Sequence, residues 1–151
     1  MKIKTVLWGL ATAALLVSCS GAKLSVANEQ YARGEFYDAA QTYRKVYSKT
    51  NPRKERKLRG EIAFKMAECY RRINMAPRSS AAYQNAIRYD YPDSMALFYL
   101  ARSQQYEGKY KEAIKNYQAY LETNPQSSLA KNGIRGLSLI HISEPTRPEP
   151  I

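Results

Sequence analysis

The sequence predicts an all-α fold in which helix pairs stack into a solenoid. Three observations carry this. First, "YARGEFYDAAQTYRKVYSKTNP", "YRRINMAPRSSAAYQNAIRYDYP" and "QYEGKYKEAIKNYQAYLETNP" align with Tyr43, Tyr83 and Tyr117 in register. The later two tyrosines are 34 residues apart and the earlier two 40, with the basic stretch "NPRKERKLRG" supplying the insertion of six. Second, the clearest copy splits into two apolar stripes at helical spacing. Leu97, Leu100, Ala101 and Gln104 form one, and Ala113, Ile114, Tyr117, Tyr120 and Leu121 form the other. Neither helix buries its stripe alone; stacked neighbours bury a continuous core. Third, 13 tyrosines stand against 3 phenylalanines and 1 tryptophan, and tyrosine suits half-buried helix faces, ring packed and hydroxyl wet.

Residues 1–18 precede this body. Lys2 and Lys4 make a basic start, Val6 to Val17 an apolar run too short to span a membrane comfortably, and small residues follow. This reads as a secretory signal peptide. Its end, Leu16-Val17-Ser18-Cys19, resembles the bacterial lipobox, which implies a thioether-linked diacylglycerol on Cys19 and an acyl chain on its amine. Several acyl chains make a stable anchor, at about 0.8 kcal/mol per buried methylene. Ser20, rather than an aspartate, follows the cysteine, and no acidic cluster comes next. The resemblance therefore implies the outer membrane, with the body facing the periplasm. Residues 19–24 are then the lipidated N-terminus and a short spacer. Cys69 is left without an intramolecular partner and reads as a small buried hydrophobe.

The repeats occupy 25–136. The period and its residues resemble the tetratricopeptide repeat, a pair of antiparallel helices. The third copy is the fullest match. Ala101 is the small residue where the two helices meet, Gly108 makes the turn, and Tyr110 opens the second helix. Ala113 marks the closest approach, Tyr117 fills the core and Pro125 ends the unit. The first copy keeps Gly34, Phe36, Ala39 and Tyr43; the second keeps Ala67, Tyr70, Tyr83, Ala86 and Ile87. In the second, Asn74 replaces the turn glycine, a residue that tolerates the left-handed conformation, and Ser79 takes the small position. Asp93 or Ser94 caps the first helix of the third copy. One further helix starts at "QSSLAKNGIRG", with Ser127 or Ser128 as its cap.

In such repeats the first helix of each unit lines a concave groove. Carried over position by position, the resemblance implies a groove of Asn28 and Tyr31, then Phe64, Glu68, Arg71 and Arg72, then Phe98, Arg102, Gln105 and Tyr106. Aromatics beside arginine suit an extended or helical peptide with an acidic or apolar face. The expected partner is a protein or peptide of the cell envelope.

The formal net charge is +11, which would suit nucleic acid. The periplasmic address argues against that partner and turns the charge toward anionic lipid headgroups or an acidic protein. The run Arg53, Lys54, Arg56, Lys57 and Arg59 reads as a solvated loop and helix start. No histidine precedes residue 137, which excludes histidine triads and histidine metal sites in that segment. The glycines are isolated, so no phosphate-binding loop is present. Asp90, Asp93 and Glu107 read as caps or solvated charges. We expect no enzyme activity, cofactor or metal.

Residues 137–151, "LSLIHISEPTRPEPI", are unlike the rest. Leu137 to Arg147 resembles, codon for codon, the translation of a transposase sequencing adapter. The adapter continues with C, an index and ATC, which matches Pro148, the index codons of Glu149 and Pro150, and Ile151. This implies a non-native tail without a role for His141, outside the fold except where Leu137, Leu139 and Ile140 prolong the last helix by a turn. The chain is then the N-terminal piece of a longer protein. Lipoprotein signal, spacer and three repeats resemble the N-terminal part of OmpA-family periplasmic proteins of the type IX secretion-associated kind, in which a β-propeller and a peptidoglycan-binding domain follow. The expected role is a scaffold in an envelope or secretion assembly, reaching peptidoglycan only through domains beyond Gly136. An outer-membrane protein assembly factor, or the repeat module of an envelope enzyme, are the alternatives.

Overall fold

The structure, a computed structural model, describes residues 23–143, with side chains as far as Leu139. The expected leader, Cys19 and residues 144–151 lie outside the described residues. The chain forms α1 (23–32), α2 (Phe36–Lys49), α3 (Arg56–Arg72), α4 (Ala76–Arg88), α5 (Met95–Tyr106), α6 (Tyr110–Thr123) and α7 (Ser128–Ser143). Among the described residues there is no strand. From α2 onward each helix packs on the next along the chain, and α7 also reaches back to α5. This is the expected solenoid: α1/α2, α3/α4 and α5/α6 are its pairs, and α7 begins the next layer.

The turns inside the pairs share one geometry. Gly34, Asn74 and Gly108 are all left-handed, with φ of 79°, 57° and 75°. Behind each, the following amide donates to a carbonyl of the last helical turn. Glu35 N–H bonds Gln30 O, Met75 N–H bonds Tyr70 O and Lys109 N–H bonds Gln104 O, each at 2.9 Å. These closures satisfy helix-end carbonyls that would otherwise be orphaned. Asn74 takes the conformation expected of it. Asp90 repeats the device after α4, with φ of 56°. Asp93 Oδ1 accepts the Met95 amide at 2.8 Å, and Ser127 Oγ accepts the Ala130 amide at 3.4 Å, so one of each expected capping pair is seen at work.

The inserted basic stretch is not all loop. α3 starts at Arg56, so part of the insertion adds a turn to the front of that helix. Arg59 there donates to Tyr47 O at 2.7 Å and Thr50 O at 2.5 Å while its guanidinium lies 3.8 Å from the centre of the Tyr47 ring. It closes the C-terminal end of α2. Arg56 donates to Asp90 Oδ2 and to Arg88 O, each at 2.6 Å. Two members of the solvated run therefore tie neighbouring helices together.

The core has two parts. Ala39, Tyr43, Ile62, Ala67, Tyr70, Tyr83 and Leu100 belong to the first; Phe98, Ala101, Ala113, Tyr117, Tyr120, Ala130 and Leu137 to the second. Cys69 is wholly buried, and burial pushes its thiol up to about 12. This is the inert environment expected of it.

The last helix departs from expectation. α7 continues to Ser143, about two turns past Gly136, and Leu137 is completely buried. The reason is phase: Leu137 lies three residues after Ile134 and seven after Ala130, so it completes their stripe against α6. The helix approaches so closely that a Cβ on Gly133 would lie 2.8 Å from the Tyr117 ring. The boundary drawn at Gly136 is thus no boundary of the packed helix.

Two stability predictions follow from this packing. Ala113→Leu overpacks a residue with no exposed surface and should cost about 1–3 kcal/mol. Leu137→Ala should cost about 2–5 kcal/mol. Thermal unfolding followed by helical circular dichroism checks both; near-neutral midpoints would contradict the packing.

Candidate functional site

The face expected to line the groove is shaped by what the second helix of each pair pushes toward the first. Tyr43, Tyr83 and Tyr117 are buried in α2, α4 and α6, and each carries its hydroxyl to the facing helix. Tyr43 donates to Asn28 Oδ1 at 2.8 Å, Tyr83 to Glu68 Oε1, and Tyr117 to Gln105 Oε1 at 3.1 Å. Arg102 holds in α5 the place of Asn28 and Glu68. A guanidinium has no acceptor, so Tyr117 reaches one turn further, to Gln105. A second row repeats beside it, with Thr42 donating to Gln30 at 2.8 Å and Asn116 to Gln104 at 2.7 Å.

This sorts the ten expected groove residues. Asn28, Glu68 and Gln105 are tyrosine partners. Lys65, which the sequence reading missed, also donates to Asn28 Oδ1 at 2.8 Å. Tyr31 is half-buried and meets the Phe36 ring edge-on at 5.6 Å, while exposed Arg72 lies 5.6 Å from the centre of that ring. Phe98 is a correction to the expected lining, and Phe64 is turned partly toward the core. Phe98 is buried against Tyr117 and Tyr120, with centroids 5.7 and 5.3 Å away. Phe64 is half-buried, stacked on Tyr91 at 4.3 Å and edge-on to Tyr83 at 5.8 Å. Large rings gain more from aromatic neighbours in the core than from a wet wall.

Arg71, Arg102 and Tyr106 converge on one cleft of about 470 Å³ between α3, α4 and α5. Asn74, Ala76, Ser79 and Ser103 complete its lining. Ser79 Oγ lies 3.0 Å from Ser103 Oγ, and Ser103 donates to Tyr99 O at 2.9 Å, so the floor is internally bonded. Arg71 grips Glu68 with two bonds, 3.0 and 2.6 Å, and lies 4.3 Å from the centre of the Tyr99 ring. Its charge is compensated. Arg102 has no carboxylate partner among the described residues; its guanidinium lies 3.4 Å from the Tyr106 hydroxyl. Tyr106 is 73% exposed, the most open large hydrophobic residue of the solenoid's described part. The cleft therefore offers a free cation, a bare aromatic ring and a rigid polar floor. Among the described residues no cluster of histidine, cysteine or carboxylate groups is placed to hold a metal ion.

A tetratricopeptide-repeat family model matches residues 95–127, the α5/α6 unit. The first tetratricopeptide domain of Spaghetti (RPAP3), bound to the HSP90 peptide SRMEEVD, superposes with a TM-score of 0.66 at 18% identity, covering 82% of this chain and 94% of that one. The chain carries the tetratricopeptide-repeat fold. The second such domain of human RPAP3, in complex with the HSP70 peptide SGPTIEEVD, gives a TM-score of 0.64 at 16% identity over 77% and 92% of the two chains. The Yersinia enterocolitica type III secretion chaperone SycD, in complex with a peptide of the translocator YopD, gives 0.63 at 14% over 80% and 93%. No curated protein matches the sequence significantly.

Within the tetratricopeptide stack, Glu68 is a buried carboxylate whose titration bears on stability. Burial pushes its carboxyl up, but hydrogen bonds from Arg71 and Tyr83 outweigh this, and the net lies below the ordinary 4.5. A lowered carboxyl contributes stability that is present above its unfolded value and lost as pH falls through the folded one. The loss should therefore fall below pH 4.5. Glu68→Gln should cost about 1–3 kcal/mol at neutral pH and flatten that acid limb. Urea unfolding across the acid range checks this; an unchanged acid limb would contradict it.

Proposed function

We propose that the protein is a periplasm-facing scaffold, lipid-anchored to the outer membrane through Cys19, that holds a partner's peptide in the tetratricopeptide groove. The observation that carries the binding role is the cleft of Arg71, Arg102 and Tyr106, whose free guanidinium and exposed ring suit a peptide with an acidic and an apolar face. Similarly folded domains bind peptides, two of which end in Glu-Glu-Val-Asp, and this supports the reading. The anchor rests on the leader and lipobox, and the outer-membrane address on Ser20. The assembly we have in view is an envelope or secretion complex tied to the cell wall, with peptidoglycan bound by later domains.

Arg102→Glu is the clean test of the groove, because Arg102 holds no buried partner, whereas reversing Arg71 would also strand Glu68. Arg102→Glu, alone and with Tyr106→Ala, should weaken capture of the native partner from envelope extracts by roughly tenfold or more, as expected of exposed aromatic and arginine anchors. Unchanged capture rejects the groove as the binding surface. For the anchor, Cys19→Ala should abolish palmitate labelling and release the chain from membranes. Labelling that persists in Cys19→Ala contradicts lipidation there.

A further inference from the structure

The basic run around Arg56 is partly engaged in tying helices, but a different set of lysines, scattered in sequence, converges in space. A concavity of about 350 Å³ at the first repeat is lined by Lys23 of α1 and by Thr42, Lys45, Ser48 and Lys49 of α2. No carboxylate lines it. None of the three lysines pairs with a carboxylate among the described residues. Ser48 Oγ donates to Lys45 O at 2.9 Å, and Thr42 Oγ1 bonds Gln30 Oε1 and Asp38 O. The donors left for a ligand are the three ammonium groups, each with three N–H bonds. Three uncompensated cations around one concavity repel each other and call for an anion with several acceptor oxygens.

Position decides which anion. Lys23 follows Cys19 by four residues, a length of chain that spans at most roughly 14 Å. If Cys19 is seated in a bilayer, the concavity lies close to the headgroup layer, where surface charge acts over a screening length of about 8–10 Å. We propose that Lys23, Lys45 and Lys49 take the phosphate of an anionic membrane lipid beside the anchor. The contact holds the first repeat against the membrane and fixes which way the groove faces. The position argument rests on the lipidation of Cys19 proposed above.

The test uses the mature chain made without lipid, as Cys19→Ser, so that binding is read free of the anchor. It should co-sediment with phosphatidylcholine vesicles containing phosphatidylglycerol and not with phosphatidylcholine alone. A lysine near an anionic surface strengthens binding by roughly fivefold, so Lys45→Gln with Lys49→Gln should weaken it by about 25-fold. Lys111→Gln with Lys115→Gln on distant α6 removes the same charge and should change it far less. Circular dichroism confirms that each variant is folded. Equal loss in the two pairs would mean diffuse attraction and overturn the site. Absence of vesicle binding overturns it too, and saturable binding of inorganic phosphate without vesicle binding would assign the concavity to a free anion instead. Palmitate labelling of Cys19 is read separately, so failure of either idea is recognised without the other.

Discussion

Three tyrosine hydroxyls are buried together with the rings that carry them, and each must find an acceptor. Tyr43, Tyr83 and Tyr117 sit one turn after a completely buried small residue, Ala39, Ser79 and Ala113. Burying a large side chain contributes about 1.5–3 kcal/mol. Leaving its hydroxyl unpaired would return about 1–3 kcal/mol of that. The rings drive the stacking, and the hydroxyls dictate what stands opposite. A small residue lets the backbones approach; a tyrosine beyond it spans the gap; a polar side chain on the first helix receives it. The turn residues Gly34, Asn74 and Gly108 hold the two helices in the register that this needs.

The facing helices inherit this constraint. Asn28, Glu68 and Gln105 stand opposite the tyrosines, and their inner oxygens are already engaged. Such groups are rigid and add shape rather than new charge. Uncompensated charge is left to residues that the tyrosines do not engage. Arg102 is the clearest case, since it holds the place of Asn28 and Glu68, cannot accept from Tyr117, and has no carboxylate partner among the described residues, beside exposed Tyr106. At this position the first two repeats carry an acceptor and the third carries a cation, which lines the cleft. The same division separates the two faces of the first repeat, where Tyr43 and Asn28 look inward and Lys23, Lys45 and Lys49 surround a separate concavity.

Much of this was legible in the sequence, because repetition reports geometry. Tyrosines in register revealed the period, and the period located the turns, including an asparagine in place of glycine. A lone cysteine on an apolar helix face implies core, and Cys69 is buried there. The groove was legible only in part. Register counts positions but does not say which way a ring leans, and Phe64 and Phe98 turned to aromatic neighbours in the core. Arg59 looked like one member of a solvated run; its role depends on two carbonyls and a ring nine to twelve residues earlier. Leu137 looked foreign by origin, yet burial responds only to phase and polarity, and it fits the stripe begun by Ala130 and Ile134. The lysine concavity joins residues from two helices, which no linear window brings together.

The binding account turns on the mouth of the cleft. Amide and side-chain NMR of the labelled chain, titrated with an acidic peptide and with its Asn/Gln counterpart, reads that location directly. The acidic peptide should shift Arg102, Tyr106, Asn74 and Ser103 together and saturably, leave the amides of α6 and α7 in place, and exceed its neutral counterpart in affinity. Shifts centred on another face, or equal shifts with both peptides, would contradict it.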